Sequence, residues 1–461
     1  MPLSNQPISS ESTRHDPRCF TAAIRSWPYW HTTLTLAVML GSVSIFLGYL
    51  AKNVGASYGD QANYVVIADR ILKNGLFELR EELRTYLYPL ILSPAKALFG
   101  ASPASKALIS VFQYAVLLFT LKLIAKSVIK LTGKKAAGDL VFAAGALNPY
   151  LVQATTLFLT DILAACLVAC GFTKLLFGDL YLRKDRLLAT LPFAAAVMVR
   201  PASAVFFPIA CLGVVVRRYV ERIPLRKVLL SFILSLAFFV PQLYMNVTRF
   251  RHWTPIIHNS LYSFQSQVAV QFLKYGTVIT AGENPQLVFV NPWAISSCPS
   301  MQAFAAKSPL AFALTAGMHV FGSLDWGYVD TYIASYYPGS RLPASLLLHS
   351  TWFLVALGFI RFLRRRQSLP RRVSVLLAFL VVAIVADLAF LATTAVESRF
   401  GYPVFFMALP LLGFSLPDSR PSRKNMATIA VFWLLWLVLS TTLSFWLDGL
   451  TGRIHWFAHW K

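Results

Sequence analysis

Long apolar runs set the pattern of this chain. Leu34–Leu50, Ala107–Ile124, Val375–Leu391 and Thr428–Trp446 hold almost no charge, and each approaches or exceeds the roughly 18 residues that cross a bilayer as a helix. Their apolar positions are continuous rather than alternating. They therefore predict helices, which satisfy every backbone group within lipid. Read along the chain, the runs predict an all-α polytopic membrane protein of about 11 transmembrane helices, within a range of roughly 10–13. The expected spans are 32–51, 104–122, 137–155, 160–178, 187–201, 202–216, 228–246, 343–361, 373–392, 402–416 and 427–446. Two apolar stretches are set apart as interfacial or re-entrant helices. Tyr86–Phe99 is short and carries Pro89, Pro94 and Lys96, and Pro309–Phe321 is similar.

Composition supports the membrane reading. Charged residues make up 13% of the 461 and hydrophobic residues 57%, whereas soluble domains carry about a quarter charged residues. The net charge of +23 belongs to short loops between spans, which argues against nucleic acid and for basic cytoplasmic loops. With the N-terminus inside, the inside segments gather most of the 42 basic residues and few of the 19 acidic ones. Lys122–Lys135, Lys174–Arg186, Arg217–Lys227, Arg361–Arg372 and Arg420–Lys424 are the main groups. Counting Tyr86–Phe99 as a span would reverse them all, which is why it is placed at the interface. This gives a cytoplasmic tail over 1–31, a transmembrane domain over 32–446 with long outside regions 52–103 and 247–342, and a short outside tail over 447–461. Residues 1–26 are expected to be disordered. A bacterial inner membrane is the expected location.

The cysteines form no framework. Cys166, Cys170 and Cys211 are expected to pack within spans, and Cys298 has no evident partner. No Walker loop, GxGxxG or HExxH occurs, so nucleotide and zinc-protease chemistry have no support. Asn246-Val247-Thr248 matches a glycosylation acceptor pattern but abuts a span.

Candidate chemistry collects on the outer side. Asp60, in Tyr58-Gly59-Asp60-Gln61, precedes a helical pattern marked by Tyr64, Ile67 and Ile71. Asp161 sits between two apolar spans, and ionisable groups so close to lipid are functional hypotheses by default. Either acid also reads as a simple helix cap. Glu397-Ser398-Arg399-Phe400-Gly401-Tyr402-Pro403 forms a third outer cluster. Arg399 suits a phosphate, as a guanidinium fork does, or an ordinary lipid headgroup. Arg84 and Arg200 read as second phosphate contacts or as interface anchors.

The order of these features resembles the GT-C glycosyltransferases, in the branch of protein O-mannosyltransferases and lipid A aminoarabinose transferases. It runs from span to outer Asp, Tyr four residues on, an interfacial Tyr/Pro helix ending in Phe-Gly, a second outer acid, Arg-Pro, and a late Arg followed by an aromatic and Pro. The resemblance covers about residues 32–416 and implies an inverting transfer of a hexose or pentose from a polyprenyl-phosphate carrier to an extracytoplasmic glycolipid, polysaccharide or protein. It assigns Asp60 and Asp161 as catalytic acids, with Asp60 the base for the acceptor hydroxyl. It assigns Arg399 and Arg84 to the donor phosphate and matches Tyr64 to the family's aromatic; Arg200 is a further candidate for the phosphate, and Tyr64, Tyr88, Glu397 and Tyr402 are the candidates for substrate binding. Many members carry Asp-Glu where this chain has Asp60-Gln61, which removes a carboxylate and questions any metal-assisted variant. No cofactor is required, because phosphate leaves readily, and a divalent metal stays open. The rival reading is a transporter or flippase of a lipid-linked or amphipathic anion. A transporter calls for ionisable groups deep in the spans, where Asp387 is the clearest candidate.

Overall fold

The computed structural model describes residues 28–55, 60–256, 273–278, 286–290, 300–326, 341–394, 397–418 and 421–452. The helices in chain order are α1 (Pro28–Asn53), α2 (Asp60–Asn74), α3 (Leu87–Phe99), α4 (Pro103–Thr132), α5 (Lys135–Ala146) and α6 (Pro149–Ala154). They continue with α7 (Asp161–Phe177), α8 (Arg183–Val199), α9 (Phe206–Glu221), α10 (Leu225–Ser235) and α11 (Val240–Met245). After a short antiparallel pair, β1 (Leu273–Val278) with β2 (Gln286–Val290), come α12 (Met301–Lys307), α13 (Pro309–Leu324), α14 (Arg341–Arg365), α15 (Arg371–Ala392), α16 (Tyr402–Leu412) and α17 (Arg423–Gly452).

The protein is a polytopic integral membrane protein. Among the described residues seven helical segments are long and apolar enough to cross a bilayer, from Thr32–Asn53 to Arg423–Trp446. The other expected spans are α5 with α6, α7, α8 and α16, and their lengths follow from where they sit. Every residue of α16 from Val404 to Leu412 is buried, as is nearly all of α7. A helix enclosed by protein, rather than lipid, need not match the bilayer's thickness. The expected span 137–155 is interrupted. α5 ends at Ala146, and Asn148 starts the next helix, its side chain accepting from the backbone N–H groups of Tyr150 and Leu151 with Pro149 at the first helical position, a combination that starts helices strongly.

Two apolar clusters share α7, α14 and α16. One joins them to α1, α4, α5 and α6 around Leu117, Tyr150 and Phe405. The other joins them to α8, α9, α10 and α15 around Phe172, Phe206 and Phe362. The two short helices α2 and α3 cap one end, with Ala68, Tyr88 and Leu92 against Phe158 and Leu163. Lys96 of α3 meets Asp69 of α2 at 2.6 Å. The expected interfacial helices 86–99 and 309–321 are thus present as α3 and α13.

The opposite end is basic and tied by ion pairs. Asp418 bridges Lys134 and Arg365, and Glu221 bridges Arg217 and Arg372. The loops expected to share one side of a membrane therefore do share one end of the bundle. α4, with 30 residues, spans about 45 Å between the two ends.

Some expectations change. α1 starts at Pro28, inside the segment read as a tail, and α17 runs on to Gly452, beyond the expected span end at 446. Cys166 and Cys170 are buried, but Cys211 is exposed on α9, where the helix faces away from the core. Asn246 is buried and its amide donates to the Thr254 carbonyl, so the acceptor pattern there is occupied by local structure. Residues 1–27 and Cys298 lie outside the described residues.

Gly358 fixes the spacing of α14 and α16. A Cβ there would stand 2.0 Å from the Leu411 carbonyl oxygen, which is backbone and cannot swing aside. Gly358→Ala is expected to destabilise the protein by about 1–3 kcal/mol, the usual cost of overpacking, read as a lower unfolding temperature in detergent. An unchanged temperature would show that the helices are free to separate.

Candidate active site

Both acids begin helices. Asp60 is the first residue of α2 and Asp161 the first of α7, where the unsatisfied N–H groups favour an anion. Arg200 sits just past the end of α8, where a cation is favoured for the same reason. Arg399 lies in the single 3₁₀ turn Ser398–Gly401 that leads into α16. Chain segments far apart in sequence thus bring complementary charges to one end of the bundle.

The structure gathers all six charged candidates. Arg84 donates to Asp60 at 2.7 Å and Arg399 reaches the other Asp60 oxygen at 3.5 Å. Arg399 also donates to Asp161 at 3.2 Å and to Glu397. Arg200 pairs with Asp161. Glu81 lies 3.7 Å from Arg84 as well, so the three guanidiniums face four carboxylates. The two acids differ in access: the Asp60 side chain is 37% exposed and that of Asp161 is 3% exposed. A buried acid whose partner is removed keeps its desolvation cost with nothing to offset it, typically about 3–5 kcal/mol.

Burial pushes the Asp60 carboxyl upward, but the Arg399 charge and the hydrogen bond and charge of Arg84 outweigh it and hold it below the ordinary carboxylate value. Burial lowers the Arg84 guanidinium, but Asp60, with Tyr64 and Glu81, outweighs it, so it is raised. Burial, followed by the Asp60 charge, raises the Tyr64 phenol.

The aromatic candidates support more than they line. Arg84 lies over the Tyr64 ring at 5.5 Å, and Tyr64 packs edge-on to Tyr88 at 5.1 Å. Tyr88 is fully buried and donates to Gln113, so it stands behind the cluster. Tyr402 packs against Trp326 at 4.8 Å and lines a small crevice of about 10 Å³, room for about one water molecule, beside Asp161 and Arg399. Glu397 is buried and engaged with Arg399, which makes it a holder of that arginine.

The sequence reading missed the parts that hold the acids in place. Asn53 of α1, Gln61 of α2 and Gln113 of α4 clasp the segment leading to Asp161. Asn53 donates to Thr156 at 2.8 Å, Gln61 accepts the Phe158 N–H at 2.9 Å, and Gln113 donates to the carbonyls of Thr155 and Leu157, each at 2.9 Å. Gln113 was visible as an isolated amide within an apolar run. Phe400 lies under Arg200 at 4.5 Å and Arg399 at 5.7 Å, a cation–π arrangement. Gly401 lets α13 approach this turn, since a Cβ there would meet the Ser323 carbonyl. Among the described residues no group of three or more His, Cys, Asp or Glu side chains forms a metal site.

The architecture aligns over most of the chain with two solved membrane proteins. ArnT from Cupriavidus metallidurans bound to undecaprenyl phosphate gives a TM-score of 0.50 at 13% identity, over 91% of this chain and 69% of that one. The Archaeoglobus fulgidus oligosaccharyltransferase, tethered with an acceptor peptide containing the NVT sequon, gives 0.50 at 14% identity, over 92% of this chain and 55% of that one. Both are GT-C proteins. The chain has a GT-C fold. ArnT in the apo state gives 0.49 at 13% identity over 89% of this chain, which spans 62% of that protein's length. No protein-family model and no curated protein matches the chain. The GT-C likeness agrees with the resemblance carried by Asp60, Asp161 and Arg399, and at these identities it bears on fold alone.

The site's electrostatics give a pH test. A carboxyl held below its ordinary value stays ionised as pH falls until that lowered value is passed. If Asp60 must be ionised, kcat/KM loses its acid limb only below the usual carboxylate range, since that ratio reports the free enzyme. Arg84→Gln is expected to move the limb to higher pH. An unmoved limb would show that Asp60 does not set it.

Proposed function

We propose that this protein is a membrane glycosyltransferase that moves a sugar from a polyprenyl-phosphate carrier to a hydroxyl-bearing acceptor on the extracytoplasmic side, with inversion. The observation that carries this reading is the meeting of Asp60, Asp161, Arg84, Arg200 and Arg399 at one end of the bundle, opposite the basic loops. The positive-inside rule then places that end away from the cytoplasm. The undecaprenyl phosphate bound to ArnT and the acceptor peptide tethered to the oligosaccharyltransferase support a lipid-linked donor and a glycan or protein acceptor here.

The chemistry follows from the residue types. In-line displacement of a phosphate at the anomeric carbon needs a base for the incoming hydroxyl and cations for the leaving group. Asp60 is the more exposed acid, so it serves as base. Arg399 and Arg84 stabilise charge growing on the phosphate, and Arg200 holds Asp161. When the donor phosphate draws Arg399 and Arg84 toward itself, Asp60 loses the charges that lower its basicity, so it becomes a better base once donor is bound. Asp161, buried between two arginines, orients Arg399. The reading requires no metal, because the guanidiniums supply the positive charge. Holding both substrates in line contributes on the order of 7 kcal/mol or more in favourable cases.

Asp60→Asn is expected to lower transfer at least about a hundredfold, the lower range for a lost general base, with undecaprenyl phosphate binding retained. Arg399→Ala is expected to weaken that binding at least tenfold, about 1.4 kcal/mol. Normal turnover by the first variant would remove Asp60 as base. Unchanged carrier affinity in the second would remove Arg399 from the phosphate site.

A further inference from the structure

The Arg84 side chain reaches Asp60, but the backbone beside it is held from a different part of the bundle. Two residues on, Tyr86 stands at the start of α3, where a backbone N–H has no acceptor within its own helix. Gln242 of α11 supplies one: its side-chain oxygen accepts the Tyr86 N–H at 3.0 Å. The Tyr86 hydroxyl donates to the Phe238 carbonyl at 2.9 Å. Phe238 and Gln242 belong to one apolar span, Leu225–Phe250, so that span grips Tyr86 twice.

The Gln242 amide is itself fixed. Its nitrogen donates to the Asn246 side-chain oxygen at 3.0 Å, and the Asn246 nitrogen donates to the Thr254 carbonyl at 2.8 Å. A backbone N–H only donates and a carbonyl only accepts, so the two ends of this chain leave each amide one orientation. Tyr86, Gln242 and Asn246 are all buried. Hydrogen bonds that run in one direction polarise one another, and breaking one leaves a buried group unpaired. Gln242 and Asn246 are neutral, so they act on the charged cluster through position rather than through charge.

We propose that Gln242 is a positioning residue for Arg84. By holding the Tyr86 N–H it sets the backbone from which Arg84 reaches the donor phosphate, and through Asn246 it ties that backbone to Thr254, at the start of the second outer region. This rests on the glycosyltransferase reading, which gives Arg84 the phosphate.

The test measures undecaprenyl phosphate binding to the full-length protein in detergent, arranged as a double-mutant cycle. Arg84→Gln is expected to weaken the carrier about tenfold and Gln242→Met, of similar size to the wild-type residue, about fivefold. Combined, they are expected to bind within about twofold of Arg84→Gln alone, because the amide acts by placing an arginine that is already gone. A merely structural role would weaken the carrier equally in both backgrounds. Gln242→Glu offers an acceptor to Tyr86 and, while protonated, a donor to Asn246, and is expected to bind within about twofold of wild type. Unfolding temperatures are read alongside, and Gln242→Asn, which withdraws the amide by one methylene, replaces Gln242→Met if that variant does not fold. The proposal is overturned if Gln242→Met binds like wild type, if its effect is the same with and without Arg84→Gln, or if Gln242→Glu binds no better than Gln242→Met. If Arg84→Gln itself binds like wild type, Arg84 does not meet the phosphate and the proposal falls with that role. If the carrier does not bind wild type at all, the glycosyltransferase reading fails first and this proposal with it.

Discussion

One guanidinium joins the charged end of the bundle. Arg399 touches Asp60, Asp161 and Glu397, and these acids come from the starts of two helices and the turn that carries Arg399 itself. Charges drawn out of water persist only when well paired. Here the N-terminal ends of α2 and α7 already favour the anions, so the pairing needs only cations delivered to the right place. The surrounding packing serves that delivery. α16 is almost wholly enclosed, Gly401 admits the end of α13, and Phe400 lies beneath two guanidiniums. The amide clasp from Asn53, Gln61 and Gln113 does the same for the acids.

Self-pairing has a chemical consequence. Each of the three guanidiniums is engaged with carboxylates, Arg84 with Glu81 as well as Asp60, so an incoming phosphate has to compete with carboxylates for its cations. On the glycosyltransferase reading, binding and activation are then a single exchange. An arginine that turns toward the phosphate turns away from an acid, and the acid with access to solvent becomes more basic. The departure at Gln61 fits this picture. Its amide accepts the Phe158 N–H, so it holds the Asp161 segment without adding a further carboxylate to the cluster.

Much of the fold was legible because the chain is so apolar. Continuous runs gave the spans, and the basic loops sorted them into two ends that the structure keeps apart. Asp60, Asp161, Arg84, Arg200 and Arg399 stood out for the same reason, since ionisable side chains are rare beside lipid. What sequence did not show depends on contacts between distant segments. The interruption at Asn148 is an exception, since Asn148-Pro149 is a local helix-start signal that the reading of 137–155 as one span passed over. Glu397 and Tyr88 read as substrate contacts, whereas the structure has one holding Arg399 and the other donating to Gln113 behind the cluster. The strands β1 and β2 lie in a region without apolar periodicity, and the sequence reading held no strands. Asp387 is buried on α15, one acid among the apolar residues of its face.

The central claim is that Arg84 and Arg399 receive a lipid-linked phosphate. The most direct measurement is an experimental structure of the protein in lipid nanodiscs with undecaprenyl phosphate added. The account predicts phosphate density within hydrogen-bond reach of Arg399 and Arg84, with Arg399 drawn away from Asp60. Phosphate bound elsewhere, with the Arg399–Asp60 contact intact, would contradict it.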